Sequence, residues 1–282
     1  MINWPQALID DLERRRVIIF IGSGVSRNSV GIDTVTSPKT WHAFLTDAAT
    51  QVGNIAEVKP YLDSKDYLTS LDLVRAKCTR GQYAQLVEQE YLTPQYSEAK
   101  IHEIIYQLDA NIVLSPNFDK IYDVFVQSKS RGTTVVKQYH DLDLAKYIRG
   151  DRRVLVKIHG SVDATQHMIF GRRDYAEARV KHAWFYDILR ALILTHTFLF
   201  IGCGTDDPDI RLLLEDTQFS AGFAREHYFL SAAGAMANGF KSIIEETMNL
   251  HVLEYAYDPA THDHSALTDS LEILANSLSW NA

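Results

Sequence analysis

The chain has 282 residues, of which 46% are hydrophobic and 23% charged, and its formal net charge is -8. That length suits one large α/β domain or two small ones, and the composition excludes disorder, collagen and coiled coil as the main class. The acidic balance argues against a broad nucleic-acid footprint and makes direct nucleic-acid binding an unexpected role.

In chain order, residues 1–11 are polar and carry no apolar signal core. Arg14, Arg15 and Arg16 read as a solvated helix end. Val17 to Ile21 is a continuous β-forming run without alternation, the pattern of a strand buried on both faces of a parallel sheet. Three similar runs follow at Asn111 to Ser115, Val154 to Ile158 and Thr197 to Ile201, with later candidates at His227 to Leu230 and His251 to Tyr255. Apolar residues at helical spacing predict helices over Trp41 to Val52, Tyr67 to Leu92, Ser97 to Leu108, Tyr175 to Leu194 and Asp209 to Glu215. Residues 50–108 contain no convincing strand and read as a helical insertion. The apolar stretch Ala183 to Gly204 is broken by Asp187, Arg190 and His196, so it reads as a buried helix and strand rather than a membrane span. No repeat or linker divides the chain, so a single domain over residues 1–282 is expected. Its class is α/β, a Rossmann-like parallel sheet with helices on both faces. Two cysteines, Cys78 and Cys203, cannot build a four-cysteine zinc module, and no metal is expected. A cytoplasmic location is the default for such a chain.

The four clearest strands each run into a polar or glycine-rich loop, and ligands of open parallel sheets bind outside the carboxyl ends of the strands. Gly22-Ser23-Gly24-Val25-Ser26 allows a tight turn and a close approach to phosphate, and also suits a generic strand-to-helix turn. Asn117 and Asp119, two apart, can face one pocket, or Asp119 can form an Asx turn capping the next helix. His159, followed by Gly160, is a candidate proton carrier or a structural hydrogen-bonder. Gly202 and Gly204 open the backbone before Asp206 and Asp207, which can meet ribose hydroxyls; Asp207-Pro208 equally suits a helix start. Trp41, Trp184 and Phe185 read as core aromatics. Lys146, Arg149, Arg152 and Arg153 read as a modest surface patch.

In this order the four loops resemble the sirtuin superfamily. Gly22 to Ser26 looks like its Gly-Ala-Gly-Ile-Ser loop, Asn117-Phe118-Asp119 like its Asn-Ile-Asp, and His159-Gly160 like its His-Gly. Gly202 to Gly204 stands where its Gly-Thr-Ser loop would be. The missing cysteines and the Pro38-Lys39-Thr40-Trp41 segment depart from the deacylases and are similar to the sirtuin-like NAD hydrolases of bacterial antiphage defence. The resemblance implies NAD as substrate, with Asn117 and His159 catalytic. It implies Gly22, Ser23, Gly24, Ser26, Asp119, Gly202, Gly204 and Asp207 as NAD-binding residues, Asp119 holding the carboxamide of nicotinamide. It further implies a separate partner protein, such as a HerA-type ATPase or a short Argonaute, in an abortive-infection response; because a freely active NAD hydrolase would be toxic to its own cell, a homo-oligomer is also expected. Two alternatives stand beside it: a protein-lysine deacylase, and a non-catalytic sensor of NAD or ADP-ribose.

Overall fold

The computed structural model describes residues 1–204, 207–221 and 226–280. Its strands are β1 (Val17–Ile21), β2 (Ile112–Ser115), β3 (Val135–Gln138), β4 (Val154–Lys157), β5 (Thr197–Ile201), β6 (His227–Ala232) and β7 (Leu250–Tyr255). They form one seven-stranded sheet in the order β3-β4-β2-β1-β5-β6-β7. Every neighbouring pair is parallel. Helix α1 (Gln6–Glu13) precedes β1, and the short α2 (Ser23–Ser26) follows it. Between β1 and β2 lie α3 (Trp41–Gln51), α4 (Ile55–Asp63), α5 (Tyr67–Ala76), α6 (Arg80–Tyr91) and α7 (Lys100–Gln107). The remaining helices are α8 (Ile121–Lys129), α9 (Leu144–Ile148), α10 (Arg172–Lys181), α11 (Ala183–Thr195), α12 (Pro208–Ala221), α13 (Asn238–Met248) and α14 (Ser265–Ser277). Among the described residues no helix is long and apolar enough to cross a membrane.

The unalternating hydrophobicity of the strands has a direct cause. Successive side chains of a strand point to opposite faces, and here both faces are covered. Val17, Ile19 and Ile21 enter a core built with α1, α7, α8 and α14. Ile18 and Phe20 enter a second core built with α9 to α13. Each fully buried aliphatic side chain contributes roughly 1.5–3 kcal/mol.

Several element boundaries differ from the sequence expectation. β3 was not foreseen because it is an edge strand: all four of its residues are half-buried, and only Val135 and Val136 are apolar. The predicted helix over Tyr67 to Leu92 is two helices. Thr79 accepts the amide of Gln82, and the Gln82 side chain accepts the amide of Thr79, so a capping box starts α6. Tyr175 to Leu194 likewise divides at His182 between α10 and α11. Helix α7 packs into the core beneath the sheet, whereas residues from Phe44 to Val87 share a third core with Phe118, Val162, Met168 and Phe170. Arg14, Arg15 and Arg16 are exposed, as expected of a solvated helix end, and Arg15 and the half-buried Arg153 both reach the carboxylate of Asp109.

His227, at the start of β6, is 1% exposed, and its Nδ1 accepts the Phe198 amide at 3.1 Å. Burial pushes its imidazole down to about 4 from 6.5. The folded state therefore resists protonation that the unfolded chain accepts. This contribution is fully present above pH 6.5 and is lost as pH falls toward 4. Urea denaturation at pH 5 should give an unfolding free energy roughly 2 kcal/mol below that at pH 7 from this group. A His227→Gln variant should lose that part of the pH dependence; an unchanged slope would remove His227 as its source.

Candidate active site

Both directions of chain progression meet at the centre of the sheet. From β1 the chain proceeds to β2 on one side, and from β5 to β6 on the other. The loops after β1 and β5 therefore flank the topological switch point, where parallel sheets open a crevice.

Glycine at both loops is required by their contact. Gly22 N–H donates to Ile201 O and Gly24 N–H to Gly202 O, each at 2.9 Å. Gly202 has φ +64°, and a Cβ there would lie 2.6 Å from Val25 N. A Cβ on Gly22 would lie 2.4 Å from Gly202 O. The Gly22 and Gly24 amides are thus engaged with β5 and its loop, and the close approach is backbone to backbone. Gly202→Ala should destabilise the chain by about 2 kcal/mol or more, combining left-handed strain with a clash. Thermal unfolding of the variant checks this; a wild-type midpoint would refute it.

The ends of β4, β2, β1 and β5, four adjacent strands, open onto one cavity of about 320 Å³. Gly22, Ser23, Ser26, Asn117, Asp119, His159, Gly204 and Asp207 line it. Gly24 and Gly202 do not; they pack against each other behind it. Asp206 lies outside the described residues.

Within the cavity a hydrogen-bonded chain joins the first two loops. Asn117 Nδ2 donates to Gly22 O and to Ser26 Oγ, each at 3.0 Å. Ser26 Oγ in turn donates to Asp119 Oδ2 at 2.8 Å. Both hydrogens of the Asn117 amide are committed, so what it offers a ligand is its carbonyl oxygen. Asp119 Oδ1 accepts the Ile121 amide at 3.0 Å, the Asx turn that starts α8. Its carboxylate serves the helix start and the cavity together. Phe118, between Asn117 and Asp119, also lines the cavity. Its ring packs 4.5 Å from Phe170 and 5.8 Å from Tyr91, anchoring the loop to the helical layer.

His159 is 5% exposed, and its Nε2 lies 3.3 Å from Asp207 Oδ2. Its ring and that of Tyr175 meet nearly perpendicular, with centroids 5.2 Å apart. Asp207 Oδ1 also accepts the Ile210 amide at 3.0 Å, so it caps α12 and holds the imidazole at once. Gly160 takes φ +82°, and a Cβ there would lie 2.6 Å from His167 O.

The helical layer supplies a wall that the sequence did not reveal. Lys39, Trp41, Lys65, Asp66, Tyr67 and Tyr91 line the cavity from α3 to α6 and their loops. Trp41, expected in the core, is half-buried and packs its ring 4.4 Å from Phe170. Of these residues only the Pro38-x-x-Trp41 segment carried a sequence signal. Cys203 also lines the cavity, and burial pushes its thiol well above the ordinary range.

Residues 111–253, just over half of the chain, match the SIR2-like domain family. That span holds Asn117, His159 and the Gly202 loop. Over 213 residues the chain is 24% identical to NAD(+) hydrolase ThsA of Enterococcus faecium, covering 74% of this chain and 41% of that protein. It is 23% identical over 201 residues to NAD(+) hydrolase ThsA of Bacillus cereus (strain MSX-D12), covering 70% and 38%. Defense-associated sirtuin 2 of Bacillus subtilis is 25% identical over 117 residues, covering 40% and 11%. The chain thus spans about two-fifths of the length of the NAD(+) hydrolases it matches. With the family's match falling on the strands and loops that bring Asn117 and His159 to one cavity, the chain belongs to the SIR2-like domain family.

Proposed function

We propose that the chain hydrolyses NAD to nicotinamide and ADP-ribose, as an effector of bacterial antiphage defence. The observation that carries this reading is the convergence of Asn117 and His159 on one cavity at the switch point. The relatives named NAD(+) hydrolase support it.

In the proposed reaction the bond between C1′ of the ribose and the nicotinamide nitrogen breaks. Its electron pair goes to the nitrogen, neutralising the pyridinium, and C1′ acquires oxocarbenium character. Asn117 Oδ1 accepts a hydrogen bond from a ribose hydroxyl or the attacking water, fixing it beside C1′. The water oxygen bonds to C1′, and His159 takes the proton released, with Asp207 orienting the imidazole. NAD and one water become ADP-ribose, nicotinamide and one proton. Asp119 and Ser26 position Asn117, and Asp119 also faces the nicotinamide carboxamide.

An unregulated enzyme of this kind would consume the NAD of its own cell. We therefore extend the proposal to activation within a homo-oligomer by a separate partner, of the HerA-type ATPase or short Argonaute kind, which orders the cavity or opens its entrance. Mass photometry at micromolar concentration should show an oligomer; a strictly monomeric chain with full activity would refute this extension.

The activity is tested by incubating the full chain, alone and with that partner, with NAD and an acyl-lysine peptide. Nicotinamide and free ADP-ribose in equal amounts, with the peptide unchanged, are expected. Acyl transfer to ADP-ribose would overturn hydrolysis in favour of deacylation.

A further inference from the structure

Lys157, the last residue of β4, is 1% exposed. It pairs in register with Ser115 on β2 and stands two residues before His159. Its Nζ donates to the backbone carbonyl of Asp119 and lies 3.0 Å from Asp123 Oδ1 in the first turn of α8. Asp123 is itself buried, and burial pushes its carboxyl above the usual range while Lys157 pulls it back.

Stability alone does not account for this arrangement. A buried ion pair costs desolvation on both sides, and apolar residues of similar volume often serve as well or better. The ammonium also sits at a helix N-terminus, where the macrodipole disfavours a cation. What the lysine alone supplies is a link between two loops. It ties the Asp119 carbonyl to the strand that delivers His159. Asp119 in turn holds Ser26, and Ser26 holds Asn117.

We infer that Lys157 is a positioning residue for NAD cleavage, its ammonium fixing the Asn117 loop against the strand that carries His159. The inference rests on the reading of the cavity as an NAD hydrolase site. An apolar residue at 157 would fill the space and leave the Asp119 carbonyl untethered. Asn117 would then lose its register with His159 while the cavity kept its walls, so kcat should fall with little change in KM.

The test uses the full chain carrying Lys157→Met alone and Lys157→Met together with Asp123→Leu. The single variant leaves Asp123 buried and unpaired, and its thermal midpoint should fall. The double variant removes both charges and should recover the wild-type midpoint. Its kcat for nicotinamide release should nonetheless stay about 10²-fold low, with KM within about threefold of wild type, the cost of a misplaced catalytic group. Amide hydrogen exchange over residues 117–120 should accelerate at least ~fivefold in the double variant. A double variant as stable as wild type with wild-type kcat and unchanged exchange would overturn the inference. If the wild-type chain releases no nicotinamide either alone or with its activating partner, the NAD hydrolase reading fails. Exchange then decides the tether by itself: acceleration supports it, and unchanged protection overturns it.

Discussion

Replacing Asn117 by alanine is expected to lower kcat for nicotinamide release by ~10²–10³-fold, the scale seen when one preorganised polar group is removed from a reacting centre. The residue holds its place through two hydrogen bonds, to Gly22 O and Ser26 Oγ. Losing them costs about 1–2 kcal/mol of stability, which leaves the seven-stranded sheet folded. Circular dichroism and thermal unfolding establish the fold, and single-turnover nicotinamide release measures the loss. A folded variant turning over at the wild-type rate would remove Asn117 from the catalytic assignment. A Ser26→Ala variant, which takes away one acceptor and the link to Asp119, should lie between the two.

The second large effect is expected at His159. Removing a general base typically costs ~10²–10⁴-fold. Because His159 is buried against Tyr175, alanine would also leave a hole, so glutamine is the better probe. His159→Gln should bind ADP-ribose within severalfold of wild type and lose turnover. Asp207→Asn should keep the cap on α12 and lose less activity than His159→Gln, since it only orients the imidazole. Calorimetric titration with ADP-ribose, set beside the turnover rate, separates binding from chemistry. Wild-type turnover by His159→Gln would show that another group takes the proton.

The two effects differ in how far each could be foreseen. Asn117 and His159 stood out because each follows a run of buried β-formers, and the ends of parallel strands lie on one side of a sheet. The hydrogen bonds that orient them were not legible. Ser26 and Asp119 lie 93 residues apart, and His159 and Asp207 follow strands on opposite sides of β1. No local pattern encodes such pairings.

What the sequence determined by itself was the sheet and the loops at its edge. Five consecutive buried positions in Val17–Ile21 and again in Thr197–Ile201 require helices on both faces, and that demand is written in composition alone. β3 escaped because an edge strand buries little and needs few apolar residues. Tertiary structure decided the rest. It turned the glycines of the first and fourth loops toward each other, where a Cβ on Gly22 would lie 2.4 Å from Gly202 O. It placed Trp41 and Tyr67 over the cavity as a wall, because α3 to α6 share a core with Phe118, Val162, Met168 and Phe170 from the loops after β2 and β4. It also set Lys157 beneath Asp119, where a residue that reads as an odd charge in an apolar strand finds a carbonyl and a carboxylate within reach. A strand's hydrophobicity depends on which faces are covered, which period and composition record. A side chain's partners depend on how distant segments dock, and that information exists only once the sheet has assembled.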